Sequence, residues 1–196
     1  MSQQKTVSLQ DLNSFDNKEA AQWFSQCCAS PQWFKAMANA RPFTDFDGVT
    51  GTAEEVWQQC STSEFLTAFE AHPMIGDVNS LRKKYAATRN MASNEQQGAD
   101  NADEKTLQSL ASANHEYLSR HGFIFIICAS GLTANTMLDA LRLRLPNDTA
   151  TEIKLAAAEQ IKITLLRLVK GLEKDSENNS VKSSENTLEE KQQKGI

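Results

Sequence analysis

The sequence predicts an all-α fold, a single compact domain of about seven to nine helices followed by a polar C-terminal tail. Three observations lead there. Apolar residues recur at three- and four-residue spacing through most of the chain. The segments so marked open on Ser, Thr or Asp and close at Gly or before Pro. One stretch alone has the composition of a buried strand, and nothing elsewhere could pair with it. At 196 residues, 40% hydrophobic and 23% charged, the chain is the size of one domain and can bury a core without disulfide or metal staples.

Taken in order, Asp16-Asn17-Lys18-Glu19 has the form of a capping box ahead of AAQWFSQCCAS. Asp16 can accept from the amide three residues on while Glu19 reaches back. Ser30-Pro31 supplies a cap and a proline at the first helical position for QWFKAMANARPF. Thr52-Ala53-Glu54-Glu55 reads as the next start, with Val56, Trp57 and Cys60 at helical spacing. Ser63 reads as the cap of the short EFLTAFEA, which Pro73 stops.

Leu107, Leu110 and Tyr117 share one face of LQSLASANHEYLSRHG, which closes at Gly122, a residue suited to a left-handed C-cap. Residues 135–145 make a further helix before Pro146. The last helix, 151–171, is the longest. Its stripe of Ile153, Ala157, Ile161, Leu165 and Leu168 is expected to face the core, with Gly171 as the stop. Phe123-Ile124-Phe125-Ile126-Ile127-Cys128-Ala129 differs from all of these. It reads as a buried extended or helical segment whose peptide groups must be satisfied by neighbours, and so as a place a ligand can approach.

From Leu172 to Ile196 ten of twenty-five residues are charged and few are apolar, so this segment is expected to stay disordered. The folded domain is expected over residues 5–171. A net charge of −5 offers no electrostatic footprint for nucleic acid or an anionic membrane. The opening MSQQKTVSLQDLNSF has no apolar core of a secretory signal, and no apolar run reaches membrane-spanning length. The four cysteines, Cys27, Cys28, Cys60 and Cys128, form no CxxC, which fits reduced thiols rather than a disulfide framework or zinc site. A soluble cytoplasmic protein is the expectation.

Of three histidines, His115 and His121 lie on one helix and read as structural. His72 stands where Pro73 breaks a helix and Gly76 permits a sharp turn, which points its ring into space the next turn would otherwise fill. Ser93-Asn94-Glu95-Gln96 is either another capping box or a source of a partner carboxylate for His72. A metal reading would gather His72, Asp77 and Glu95, but no HExxH or second paired histidine accompanies them. No GxSxG or glycine-rich phosphate loop is present, and Cys128 sits in an apolar run that disfavours a thiolate.

At these positions the sequence resembles the 2-oxo-4-hydroxy-4-carboxy-5-ureidoimidazoline (OHCU) decarboxylases of urate catabolism. The matching pieces are Asp11-Leu12-Asn13-Ser14-Phe15, His72-Pro73-Met74-Ile75-Gly76 and Glu95-Gln96-Gln97-Gly98-Ala99. Asn114 with Tyr117, the run from Gly122 to Ala129 and the run from Lys162 to Leu168 complete the order. The family often has Arg where this chain has Met74, and Gly-Leu where it has Asp100-Asn101. The resemblance implies an all-helical homodimer that needs no metal or organic cofactor and converts OHCU to (S)-allantoin and carbon dioxide. It assigns His72 as the catalytic histidine and Glu95 as its partner carboxylate. By the same carry-over Pro73, Ala92, Ser93, Asn94, Glu95, Gln96, Ile127, Cys128, Ala129, Ser130 and Gly131 surround the substrate, and Arg167 reaches it from the last helix. A catalytically inert helical interaction domain of the same fold is the alternative.

Overall fold

A computed structural model of the chain describes residues 6–73 and 99–172, with side chains from residue 104 onward in the second stretch. The described residues form eight helices and no strand: α1 (Leu9–Ser14), α2 (Asn17–Ser25), α3 (Pro31–Asn39), α4 (Phe46–Gln58), α5 (Thr62–Glu70), α6 (Ala99–His121), α7 (Ala134–Arg144) and α8 (Thr149–Gly171). None is long and apolar enough to cross a membrane.

Local capping chemistry sets most of the starts. Ser8, Asp16, Ser30, Asp45, Ser61, Thr133 and Asp148 each accept a hydrogen bond from the amide three residues on, worth about 1 kcal/mol apiece. The Asp16–Glu19 box and the Ser30-Pro31 start form as the sequence indicates. Several starts lie earlier than expected: α6 opens at Ala99 rather than Leu107 and α8 at Thr149 rather than Thr151, and capping sets two more. Asp45 opens α4 by accepting from Gly48 N at 2.7 Å, and Thr52, inside that helix, donates to Gly48 O instead. Ser61 rather than Ser63 caps α5. Gly122, at φ +79°, ends α6 in the left-handed conformation that glycine adopts without a side-chain clash.

The helices pack as two pairs, α2 on α3 and α6 on α7, with α4 and α5 both laid against α8. Buried tryptophans join the layers through their indole N–H groups as well as their area. Trp33 donates to Ala53 O across α3 and α4, and Trp57 donates to Ala157 O across α4 and α8, at 3.0 and 2.9 Å. The Leu12-Asn13 pair has a physical role here. Leu12 is fully buried, and Asn13 exchanges two hydrogen bonds with the backbone of Phe43. Val7 N donates to Gly171 O, and Leu172, placed in the polar tail by composition, is buried in the core.

On α8 the inward face is not the expected one. Ala157 and Leu168 of the expected stripe are buried, but Ile153, Ile161 and Leu165 are only half-buried, and Glu152, Ala156, Gln160 and Thr164 are buried as well. The helix is turned so that polar side chains face inward, because the segment from Phe123 to Ala129 needs them. That segment is extended, as one of the two sequence readings has it. Arg144 donates to Ile126 O at 2.9 Å and covers the Phe125 ring at 4.6 Å, while Glu159 accepts from Cys128 N at 2.8 Å.

Arg144 is held in turn by Glu152, which is fully buried and also accepts from Tyr117 and Asn147. Burial opposes charge on Glu152, but the hydrogen bonds from Arg144, Tyr117 and Asn147 outweigh it and hold the carboxyl below its ordinary range. Burial raises the Tyr117 phenol well above its usual value, so it stays a donor. Glu152→Ala would leave Arg144 and Tyr117 buried without their acceptor and is expected to cost about 3–5 kcal/mol in urea unfolding at pH 7. A loss under about 1 kcal/mol would mean that the network behaves as a solvated surface pair. Because this carboxyl is depressed in the fold, its contribution is complete above the unfolded value of about 4.3 and is lost as pH falls through the folded one.

Candidate functional site

His72 is the first residue beyond the α5 C-cap. Its amide closes on Phe69 O at 3.1 Å, Phe69 is buried against Phe123, and Pro73 has no N–H with which to extend the helix. The half-buried ring therefore projects from a fixed helix end. It borders a cavity of about 370 Å³ shared with Pro73, the extended segment from Ile124 to Ser130, and the last turns of α8 at Ile163, Leu166, Arg167 and Lys170.

His72 Nε2 lies 2.7 Å from Gln160 Oε1. Burial and the nearby Arg167 charge lower the imidazole pKa, and the Gln160 bond offsets them only in part. Below its ordinary value of about 6.5, His72 is neutral near pH 7. Arg167 donates from Nη1 to Cys27 O at 2.9 Å, which anchors the guanidinium between the end of α2 and the cavity. Behind it, burial pushes the Cys28 thiol up to about 11, so Cys28 is not an ionised nucleophile.

Of the residues expected at the site, His72, Pro73, Ile127, Cys128, Ala129, Ser130 and Arg167 line this one cavity. Gly131 does not. At φ +76° it turns the chain from the extended segment toward α7, where an L-residue would cost about 1–2 kcal/mol. The Cys128 amide, one candidate donor to a ligand, is already held by Glu159. Ala92, Ser93, Asn94, Glu95 and Gln96 lie outside the described residues, as do Met74 and Asp77. Among the histidines read as structural, His115 is exposed. His121 is buried against Tyr117 at 4.4 Å and contacts Thr149 Oγ1 and Leu145 O.

Three contributors were not singled out on sequence: Gln160, Glu159 and Lys170. The available signal is the helical spacing of Gln160, Thr164 and Arg167, which puts three polar groups on one face of a helix otherwise rich in Ile, Leu and Ala.

A neutral imidazole and two cations around a small, largely apolar cavity form a site suited to proton transfer on a small anionic molecule. The sequence pattern that defines the OHCU decarboxylases matches residues 13–169, and the chain belongs to that family. The uric acid degradation bifunctional protein TTL of Arabidopsis thaliana is 39% identical over 145 residues, 74% of this chain and 44% of the plant protein. The chain thus spans less than half of that relative, and 34% and 32% of two uric acid degradation bifunctional proteins from Bacillus. A 2-oxo-4-hydroxy-4-carboxy-5-ureidoimidazoline decarboxylase of Halalkalicoccus jeotgali is 23% identical over 163 residues, covering 83% of this chain and 90% of that protein.

Among solved structures, an OHCU decarboxylase crystallised in the presence of (S)-allantoin aligns with a TM-score of 0.61 at 35% identity, over 80% of this chain and 97% of that one. An (S)-allantoin synthase at 20% identity and a TM-score of 0.62, over 85% of this chain and 54% of that one, shares the fold.

The electrostatics can be tested without substrate. Arg167→Met removes a positive charge beside His72 and is expected to raise the His72 pKa toward, but not to, about 6.5, since burial remains. Proton NMR titration of the histidine ring reads the shift. An unchanged or lower value would show that Arg167 does not act on the imidazole.

Proposed function

We propose that the protein decarboxylates OHCU to (S)-allantoin and carbon dioxide in urate breakdown, with no metal or organic cofactor. The observation that carries this reading is the placement of His72, held neutral, on the same cavity wall as Arg167.

In OHCU the carboxylate leaves a carbon that also bears a hydroxyl and adjoins a ring C=N. When the bond to carbon dioxide breaks, its electron pair forms a C=C bond to the imine carbon, and the imine nitrogen takes a proton. The hydroxyl proton passes to the protein before that bond breaks, so the carbonyl forms as the former imine carbon takes a proton on one face, and the one proton gained overall comes from solvent. The substrate is its own electron sink, so the protein has to orient it and move protons. His72 is the group that takes the hydroxyl proton and returns one to carbon, and Glu95 is proposed to accept from the ureido or ring N–H groups of the substrate. Arg167 binds substrate oxygens through its planar fork, with Lys170 at the rim adding attraction for the anion. Ile124, Ile127, Ile163 and Leu166 surround the carboxylate poorly and carbon dioxide well, which favours the neutral product. The protein is proposed to act as a homodimer in solution.

Freshly made OHCU followed by circular dichroism tests the reading. Enantiopure (S)-allantoin should form faster than the racemate appears spontaneously, and activity should survive EDTA. His72→Ala and Glu95→Gln are each expected to lower the rate by about 100-fold or more, and wild-type rates in both would overturn the assignment. The His72 imidazole can accept a proton only in its neutral form, so kcat/KM should fall on the acid side with an apparent pKa below about 6.5. Lys170→Ala should raise KM several-fold with kcat little changed, and lessen the salt dependence of kcat/KM.

A further inference from the structure

His72 is tied into α8 by a short hydrogen-bond chain that has a direction. We propose that Gln160, aligned by Thr164, fixes His72 as the Nε2–H tautomer and leaves Nδ1 as the nitrogen that exchanges protons. Gln160 is thereby a positioning residue for the reaction proposed above, on which this role rests.

The direction follows from donor counting. Gln160 and Thr164 are 0% and 1% exposed, which leaves little room for water to reverse the pattern. Thr164 Oγ1 donates its one hydroxyl proton to Gln160 O at 3.0 Å, so toward the Gln160 side chain it can only accept. It does so from Gln160 Nε2 at 3.2 Å. With the amide nitrogen turned to Thr164, the amide oxygen faces His72, 2.7 Å from Nε2. An amide oxygen cannot donate, so His72 Nε2 carries the hydrogen, and in the neutral ring Nδ1 then holds the lone pair. A flipped amide would set its oxygen against a hydroxyl whose proton is already committed. Cys28 also bonds the Thr164 side chain, and burial keeps it a thiol, so it does not draw that proton away.

The choice of an uncharged amide is itself informative. A carboxylate at position 160 would also accept from Nε2–H, but it would stabilise the imidazolium and hold the proton on the ring. Glutamine orients the ring without adding negative charge. Among the described residues that line the cavity, the other charged or titratable groups are Arg167 and Lys170 of α8 and Cys128 of the extended segment; the two cations oppose protonation as well.

Long-range proton–nitrogen correlation spectra of the full-length protein, labelled in its three histidines, read the tautomer directly. Wild type is expected to show Nε2–H for His72 above its pKa, and Nδ1–H would overturn the proposal whether or not allantoin forms. Gln160→Met should mix the tautomers and lower kcat by about tenfold to a hundredfold, with KM within about threefold of wild type. An unchanged tautomer and kcat would overturn it. Gln160→Glu should move the acid limb of kcat/KM upward by about one pH unit or more, and an unmoved limb counts against it. Thr164→Val should mix the tautomers through the freed amide, and Thr164→Ser should restore the Nε2–H signal. Nε2–H in a wild-type protein that makes no allantoin would overturn the proposed reaction and leave the tautomer assignment standing.

Discussion

A peptide segment that runs extended through a helical interior has to find hydrogen-bond partners for its own backbone. Helices satisfy theirs internally and sheets satisfy theirs along a neighbouring strand, and the run from Phe123 to Ala129 has neither. Each buried group left unpaired would cost about 1–3 kcal/mol. Side chains supply the partners: Arg144 bonds Ile126 O and Glu159 bonds Cys128 N. Arg144 is itself a largely buried cation that needs compensation, which Glu152 provides; Tyr117 also accepts from Arg144, and Asn147 donates to Glu152. One irregular segment thus requires a polar cluster on α6, α7 and α8, and that cluster sets how α8 is turned.

Once α8 presents polar residues inward, the site follows at small cost. The turns beyond Glu152 carry Glu159, Gln160, Thr164 and Arg167 toward the extended segment, His72 and the end of α2. Trp57 fixes the middle of the helix through Ala157 O, and Val7 closes on its last turn. The groups that border the cavity therefore belong to elements fixed by core hydrogen bonds. Such support holds a ring and a guanidinium in one geometry more tightly than an exposed loop does.

What the sequence made legible divides along the same line. The capping box at Asp16–Glu19, the Ser30-Pro31 start and the Gly122 stop were readable because each depends on residues within one turn. Gly48 and Gly51 obscured the start of α4, where Asp45 caps against the low helix propensity of glycine. The register of α8 could not be read, since hydrophobicity ranks Ile161 above Gln160, and only the demands of distant partners reverse that order. His72 was visible through the proline that follows it. Gln160 becomes meaningful only when a residue 88 positions away lies against it. The Leu12-Asn13 and Gly122–Ala129 motifs carried the family resemblance, and the fold shows their work: a clasp on Phe43, and the extended wall of the cavity.

The charge balance of the cavity bears on how one histidine can serve at both ends of the proposed reaction. Burial and Arg167 hold His72 below its ordinary pKa, so the ring is a weak base. A bound carboxylate would oppose Arg167 and raise the proton affinity of the imidazole while the substrate hydroxyl waits to be deprotonated. When that carboxylate leaves as neutral carbon dioxide the compensation disappears, and the imidazolium again faces uncancelled cations in an apolar setting. It then becomes a stronger acid at the stage when carbon must be protonated. A neutral Gln160 preserves this swing, because a permanent negative charge in its place would keep the ring protonated throughout. The substrate's own charge can in this way switch the histidine from acceptor to donor.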